Sequence, residues 1–332
     1  MGMAVEEFGF GFPPRAWSFT WRGTVYSLNW IPVGGFVRIK GESGAERHAA
    51  DSFASKKTWQ RFLVLIAGVT MNALTAAVIL SISLMIGSPT EIDGGAPTHS
   101  SVSNLSIQIG EVLPKSPADM AGIQAGDRLV SIDGQTFSDE QSVRGYIQTH
   151  GDTGIDVEVK TTTGATLEAK LQAADLAGAP GVHGIGVGLI ATGIVHVSFF
   201  WAIAYGFVGA AQLIWEVIAG LWSLLAQLII QHQVSADVAG PVGIAVMTGD
   251  VAKLGFLYVL PFIAMLSANL AVVNLLPFPA LDGGRIVFLI LEKIRGKPSN
   301  ERVETLVNNI GFILLLLLVL IITIHDFMHL GG

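Results

Sequence analysis

At 332 residues, 51% of them apolar and 14% charged, with a mean hydropathy of +0.58, the chain is too apolar for a soluble globular domain and reads as a polytopic α-helical membrane protein. It contains no cysteine, which excludes disulfides, thiolate catalysis and Cys-ligated zinc and leaves histidine and carboxylate side chains as candidate metal ligands. The formal net charge is -7, and no stretch is basic enough to bind nucleic acid.

The opening Met1-Gly2-Met3-Ala4-Val5-Glu6-Glu7 has neither the basic region nor the apolar core of a signal peptide, and Glu6 breaks the myristoylation pattern. Over residues 1–55, aromatic and β-branched residues alternate with polar ones, with turns expected at Arg22-Gly23 and Gly34-Gly35. This predicts a β-ribbon with an apolar surface and no core of its own, so it must lie against or dip into the membrane. Pro32 and the glycine pair suggest that one strand is an edge able to accept an extended peptide; a merely structural hairpin explains the same residues.

Residues 56–87 hold the first clear transmembrane helix, Phe62 to Ile86, preceded by Lys56, Lys57 and Arg61. The positive-inside rule places that end in the cytoplasm. Beyond it, between Ser88 and His196, thirteen acidic residues stand against five basic ones, as expected of an extracytoplasmic module. A strand pattern at 107–113 and a closing hairpin of 155–160 with 166–171, with a short helix near Ser116 and a helix over Asp139 to Thr149, bound a small domain over 88–180. Its "SPADMAGI", "GD" turn and "IDG" hairpin resemble a PDZ domain, which implies a groove that takes an extended peptide or chain end by strand addition.

The stretch 197–253 is apolar except for a stripe of Gln212, Glu216, Ser223 and Gln227 on one helical face. If this helix crossed the membrane, the basic loop over 285–304 would fall outside, so the region is read as amphipathic, interfacial or re-entrant. Over 254–284 a run long enough to span ends in Asn274-Leu275-Leu276-Pro277-Phe278-Pro279-Ala280-Leu281-Asp282-Gly283-Gly284. Two prolines must unwind the chain there, and irregular backbone at membrane depth survives only if protein or a wet cavity covers it. An Asp in that setting needs a cation, a proton or a polar cavity; the plainer account is a helix-capping Asp beside Arg285. A last span is expected over 305–326. Of eight histidines only His325 and His329 stand four apart; with Asp326 between them they look like a zinc motif, but a solvated tail is the better account.

Taken together, "VEEFGFGFPPR", "WIPVGGFVRIKGE", "AGVTMN", the PDZ-like module, "AGPVGIA" and "NLLPFPALDGGR" resemble the site-2 protease family of intramembrane zinc metalloproteases, in particular the bacterial regulators of sigma-factor signalling. Val69 stands where that family usually has proline. The resemblance implies that Asp282 is the third zinc ligand, that Asn274 serves substrate or transition-state contacts, and that Gly34, Gly35, Phe36 and Val37 form the edge that pairs with substrate. It implies a bacterial inner-membrane enzyme, its PDZ domain extracytoplasmic, that cleaves single-pass transmembrane proteins such as anti-sigma factors. It also implies a preceding helix with H-E-x-x-H, expected just before Met1; on that expectation the chain is N-terminally truncated, holds one of three zinc ligands and is inactive alone. Two readings stand beside it: a non-catalytic PDZ-bearing membrane adaptor, and a transporter with a broken helix, the latter weakened by the lack of a visible inverted repeat.

Overall fold

The computed structural model describes residues 2–42, 48–92, 97–162, 164–176, 183–230, 240–297 and 301–330. Met1 and Ala239, the first residue of "AGPVGIA", lie outside these residues, as do parts of the 197–253 and 285–304 segments. The chain forms two compact units, one of Met1–Ala77, Gly209–Asp250 and Ile263–Gly332, the other of Val78–Val208 and Val251–Phe262.

The first unit opens with two long strands, β1 (Val5–Trp21) and β2 (Thr24–Ile39), joined by a tight turn in which Arg22 and Gly23 both have positive φ. Each bends on itself. Glu7, Phe8, Gly9 and Phe10 pair with Val25 to Leu28 on one side and with Arg38 to Gly35 on the other, so residues 5–12 are central and residues 35–39 form an edge of this sheet. The pleat is inverted relative to a soluble protein. Glu7, Ser27 and Asn29 are buried, whereas Phe8, Phe10, Trp17, Trp21 and Trp30 are exposed. The buried side is kept polar by a Glu7–Arg15 ion pair at 2.7 Å and by the Asn29 amide, which donates to the Phe10 and Gly11 carbonyls.

Helix α1 (Thr58–Ile86) follows, starting one turn before the expected Phe62; Arg61 lies inside it, engaged with α7 as described below. In the second unit, β3 (Ser88–Glu91), β4 (Ser100–Val112), β5 (Arg128–Ile132), β6 (Ile155–Lys160), β7 (Thr166–Leu171) and β10 (Val187–Val197) form one sheet in the order β3-β10-β4-β5-β6-β7. Helices α2 (Pro117–Met120) and α3 (Glu140–His150) and a two-stranded ladder, β8 (Ala174–Asp175) with β9 (His183–Gly184), complete it. The sheet continues to Val197, beyond the boundary at 180 expected from sequence. Strand β10 reads as small and apolar residues rather than as an alternation, yet it pairs with β4 along its length.

The motifs of this module have physical roles. Buried Asp127 accepts from the Gln124 and Thr162 amides, fixing the "GD" turn. Asp133, in a positive-φ turn, accepts from the Asp156 amide and the Tyr146 hydroxyl, tying that turn to β6 and α3. Asp139 caps α3 through the Ser142 amide. The core, including Ile107, Ile109, Ile132, Val143 and Val159, lies between sheet and helices.

After the sheet come α4 (Phe199–Ile230), α5 (Pro241–Leu254), α6 (Phe256–Leu275), α7 (Asp282–Arg295) and α8 (Glu301–Leu330). Among the described residues, four helices are long and apolar enough to cross a membrane: α1, α4, α6 and α8. Helix α4 is unbroken over its 32 residues and has the lowest mean hydropathy of the four, 1.5.

Candidate functional site

Helix α6 ends at Leu275 and helix resumes at Asp282, so the two prolines do unwind residues 276–281. The loop is held by small residues. A β-carbon on Gly283 would stand 2.2 Å from the carbonyl oxygens of Leu275 and Leu276, and one on Gly284 would stand 2.3 Å from that of Phe278. Only glycine lets α7 start directly beneath the loop. Helix α8 closes it from outside: Asn308 accepts from the Ala280 amide at 3.2 Å, and a β-carbon on Gly311 would meet Pro279 at 2.4 Å. Ala280 has a φ of 75°, a strained value for a residue with a β-carbon, fixed by that hydrogen bond and by the flanking turns.

Asp282 is the first residue of α7, half-buried, and does not cap the helix. The N-cap position is Leu281, and no side chain caps there; Arg285 makes its ion pair with Glu42 instead. The carboxylate faces α1, where a β-carbon on Gly68 would lie 3.5 Å from its Oδ2. Gly68 is ten residues into α1, about 15 Å along a helix about 43 Å long at 1.5 Å per residue. Asp282 thus sits about a third of the way along a membrane-length helix. Gly68 of "AGVTMN" leaves room for it; Asn72 in the same motif offers its carbonyl to the Ser267 hydroxyl of α6 at 2.9 Å.

The other predicted site residues fall on two elements of the same unit. Asn274 is in the last turn of α6, half-buried. Gly34, Gly35, Phe36 and Val37 are on β2. Gly34 has a φ of 70°, Gly35 approaches the Gly9 carbonyl too closely for a side chain, the Phe36 ring covers Gly9, and Val37 is exposed on the edge segment. This edge runs toward Asp282. Ile39 and Met3 pack on a cluster of Phe53, Leu65, Ile286 and Leu289, and Ile286 is one helical turn from Asp282.

The C-terminal histidine motif behaves otherwise. Asp326 is buried, not in a solvated tail, and it accepts from the Gly240 and Gly243 amides at 3.2 and 2.8 Å, anchoring the start of α5 to α8. A β-carbon on Gly240 would stand 2.7 Å from that carboxylate, which is why "AGPVGIA" needs glycine there. The carboxylate is committed to backbone donors; the His329 side chain lies outside the described residues.

Among the described residues no group of three histidines and carboxylates could hold a metal. Catalytic zinc usually takes three protein ligands. The described residues therefore do not by themselves compose a zinc site.

A second concave surface lies in the other unit. Between α3 and β10 runs a groove of about 310 Å³ lined by Arg144, Ile147, Gln148 and residues 186–189. Strand β3 pairs only with the far half of β10, from Thr192 to Val195, so at 187–190 the β10 edge opposite β4 is left to the groove. At the groove lies His183, its Nδ1 2.9 Å from Asp175 and its Nε2 2.8 Å from Asp152. The Asp175 carboxylate, then that of Asp152, raises the imidazole pKa above its ordinary value. Sequence patterning missed this clasp, because its three residues come from separate segments.

The sequence profile of Peptidase family M50 matches residues 1–318. The zinc metalloprotease RasP of Bacillus licheniformis is 29% identical, over 99% of this chain and 93% of the relative; RasP of Geobacillus kaustophilus is 29% identical over 98% and 91%. The regulator of sigma-W protease RasP of Bacillus subtilis is 28% identical over 99% and 92%. Among solved structures, the PDZ domain of the SdrC-like protein of Listeria innocua aligns with 25% of the chain and 92% of its own length, at 26% identity and a TM-score of 0.22.

Proposed function

The chain belongs to peptidase family M50, a family of zinc metalloproteases, and from that premise we propose that it acts in intramembrane cleavage of single-pass transmembrane proteins, such as the anti-sigma factors of a regulated proteolytic cascade. The observation that carries this reading is the position of Asp282. Its carboxylate is held half-buried against α1, about a third of the way along that membrane-length helix, on a loop locked by three glycines and Asn308. An aspartate within a membrane span is costly, by about 2.5–3.5 kcal/mol at a helix centre on insertion scales, which supports a functional role for it. In this proposal Asp282 contributes one ligand to zinc. The edge at residues 34–37 receives the unwound substrate strand by strand addition, and Asn274 contacts the same strand.

The remaining assignments support the same picture. The acidic six-stranded module is proposed to be an extracytoplasmic PDZ domain, whose groove against the free part of β10 takes an extended peptide or chain end. The β1–β2 ribbon, with its aromatic face outward, is proposed to lie against the lipid of the bacterial inner membrane. Helices α4 and α5 are assigned to the outer interface, because that leaves the basic segment over 285–304, which is helix α7 as far as Arg295 rather than the loop expected from sequence, cytoplasmic.

The test is zinc content and cleavage of a reconstituted single-pass substrate by the full-length enzyme, compared with Asp282→Ala. Loss of cleavage together with loss of most bound zinc is expected. Equal zinc and equal cleavage in the two proteins would refute the assignment, and zinc-independent binding of the substrate without cleavage in either would turn it toward an adaptor.

A further inference from the structure

Helix α7 is apolar on two opposite faces. One face, with Ile286 and Leu289, is buried against α1. The opposite face, Val287, Ile290, Leu291 and Ile294, is exposed, and at 100° per residue these four fall within a stripe about 100° wide. No polar residue interrupts it.

The contacts of the buried face place the helix. Asp282 meets α1 at Gly68, Ile286 and Leu289 share a cluster with Leu65, and Glu292 pairs with Arg61 at 2.6 Å. From Gly68 to Arg61 the level changes by about 10 Å along α1, while α7 covers about 15 Å of its own length, so α7 inclines by roughly 45° to α1. It therefore runs from the level of Gly68, about 10 Å deeper, at Asp282 to the level of Arg61, near the membrane surface, at its C-terminal end. At that end Lys293, Arg295 and Lys297 are exposed, and they stand near the level of exposed Lys57. Lys293 and Arg295 flank the apolar stripe on either side, an arrangement that lets the side-chain stems cover hydrocarbon while the charges reach the surface.

We propose that anionic phospholipid occupies this face of α7, acyl chains on the Val287–Ile290–Leu291–Ile294 stripe and the headgroup phosphate among Lys293, Arg295 and Lys297. Glu292, the one acidic residue on this stretch of α7, is turned to Arg61, so the outward charge of the helix end is wholly basic. The charge selects lipid over a covering protein helix, which would have to bury three cations. This inference stands on the packing of α7 and does not depend on zinc chemistry.

The native chain has no cysteine, so single substitutions Val287→Cys and Ile290→Cys can carry spin labels in the full-length protein, reconstituted in phosphatidylcholine with or without phosphatidylglycerol. Both labels should collide more often with oxygen than with a water-soluble nickel complex, with the Val287→Cys label the deeper. Lys293→Gln, Arg295→Gln and Lys297→Gln combined should weaken preferential retention of phosphatidylglycerol over phosphatidylcholine, read by native mass spectrometry, by about a hundredfold, given about 1 kcal/mol for each basic side chain at an anionic surface. Labels that favour nickel would place the stripe in water, and labels shielded from both reagents would place it against protein; either result overturns the proposal. Unchanged retention in the triple variant would overturn the headgroup assignment.

Discussion

Replacing Gly283 with alanine isolates what holds Asp282 in place. The added β-carbon would begin 2.2 Å from two carbonyl oxygens, and each would have to retreat by about 1.2 Å to reach the ordinary contact distance of 3.4 Å. Overpacking of this kind costs about 1–3 kcal/mol in a core that can relax; here the obstacle is backbone already fixed by Pro277, Pro279 and the Asn308 hydrogen bond, so the upper end is expected. The movement falls on the residues that carry Asp282, and a displacement of about 1 Å at a reacting centre can lower a rate by about a hundredfold. The assay is cleavage of a reconstituted transmembrane substrate beside thermal unfolding in the same detergent. Gly220→Ala in α4, where an added β-carbon meets nothing within 4 Å, is the control and should leave cleavage unchanged while gaining about 0.5–1 kcal/mol of helix propensity. Wild-type cleavage and unfolding in Gly283→Ala would refute the argument that the glycine is needed to seat the loop.

The Arg61–Glu292 pair, with side chains 16% and 10% exposed, ties α7 to α1, and Glu292→Ala should cost about 3–5 kcal/mol by leaving Arg61 buried without its carboxylate. A melting temperature within a degree of wild type would show that the pair is solvated. For the His183 clasp, the folded pKa is raised, so its contribution is complete below the unfolded value near 6.5 and is lost as pH rises through the higher folded value. Amide protection at β8 and β9, taken relative to the intrinsic exchange rate at each pH, should fall over that rise, and the fall should vanish in His183→Gln; identical protection profiles in the two proteins would exclude the clasp.

Much of the architecture could be read from residue order. Long apolar runs specify α1, α6 and α8 because a bilayer admits little else at that length and hydropathy. The paired prolines specify the break before Asp282, because neither can donate a hydrogen bond to a continuing helix. Arg22-Gly23 specifies its turn through backbone geometry alone. The inverted face of the ribbon was also legible, as an apolar surface without a core of its own.

What lay beyond sequence were the relations between segments far apart in the chain. That Gly68 receives Asp282, that Asn308 and Gly311 seat the loop, that Asp326 caps α5 rather than trailing into solvent, and that β10 completes a sheet begun a hundred residues earlier are all long-range contacts. A glycine reserved for a neighbouring carboxylate looks the same in sequence as one that merely eases helix packing. A buried aspartate likewise has the same letter as a solvated one. Local preference sets which segments are helix or strand; only the packed chain sets which backbone atom or side chain fills the space beside each, and here that packing decides where the carboxylate of Asp282 is held.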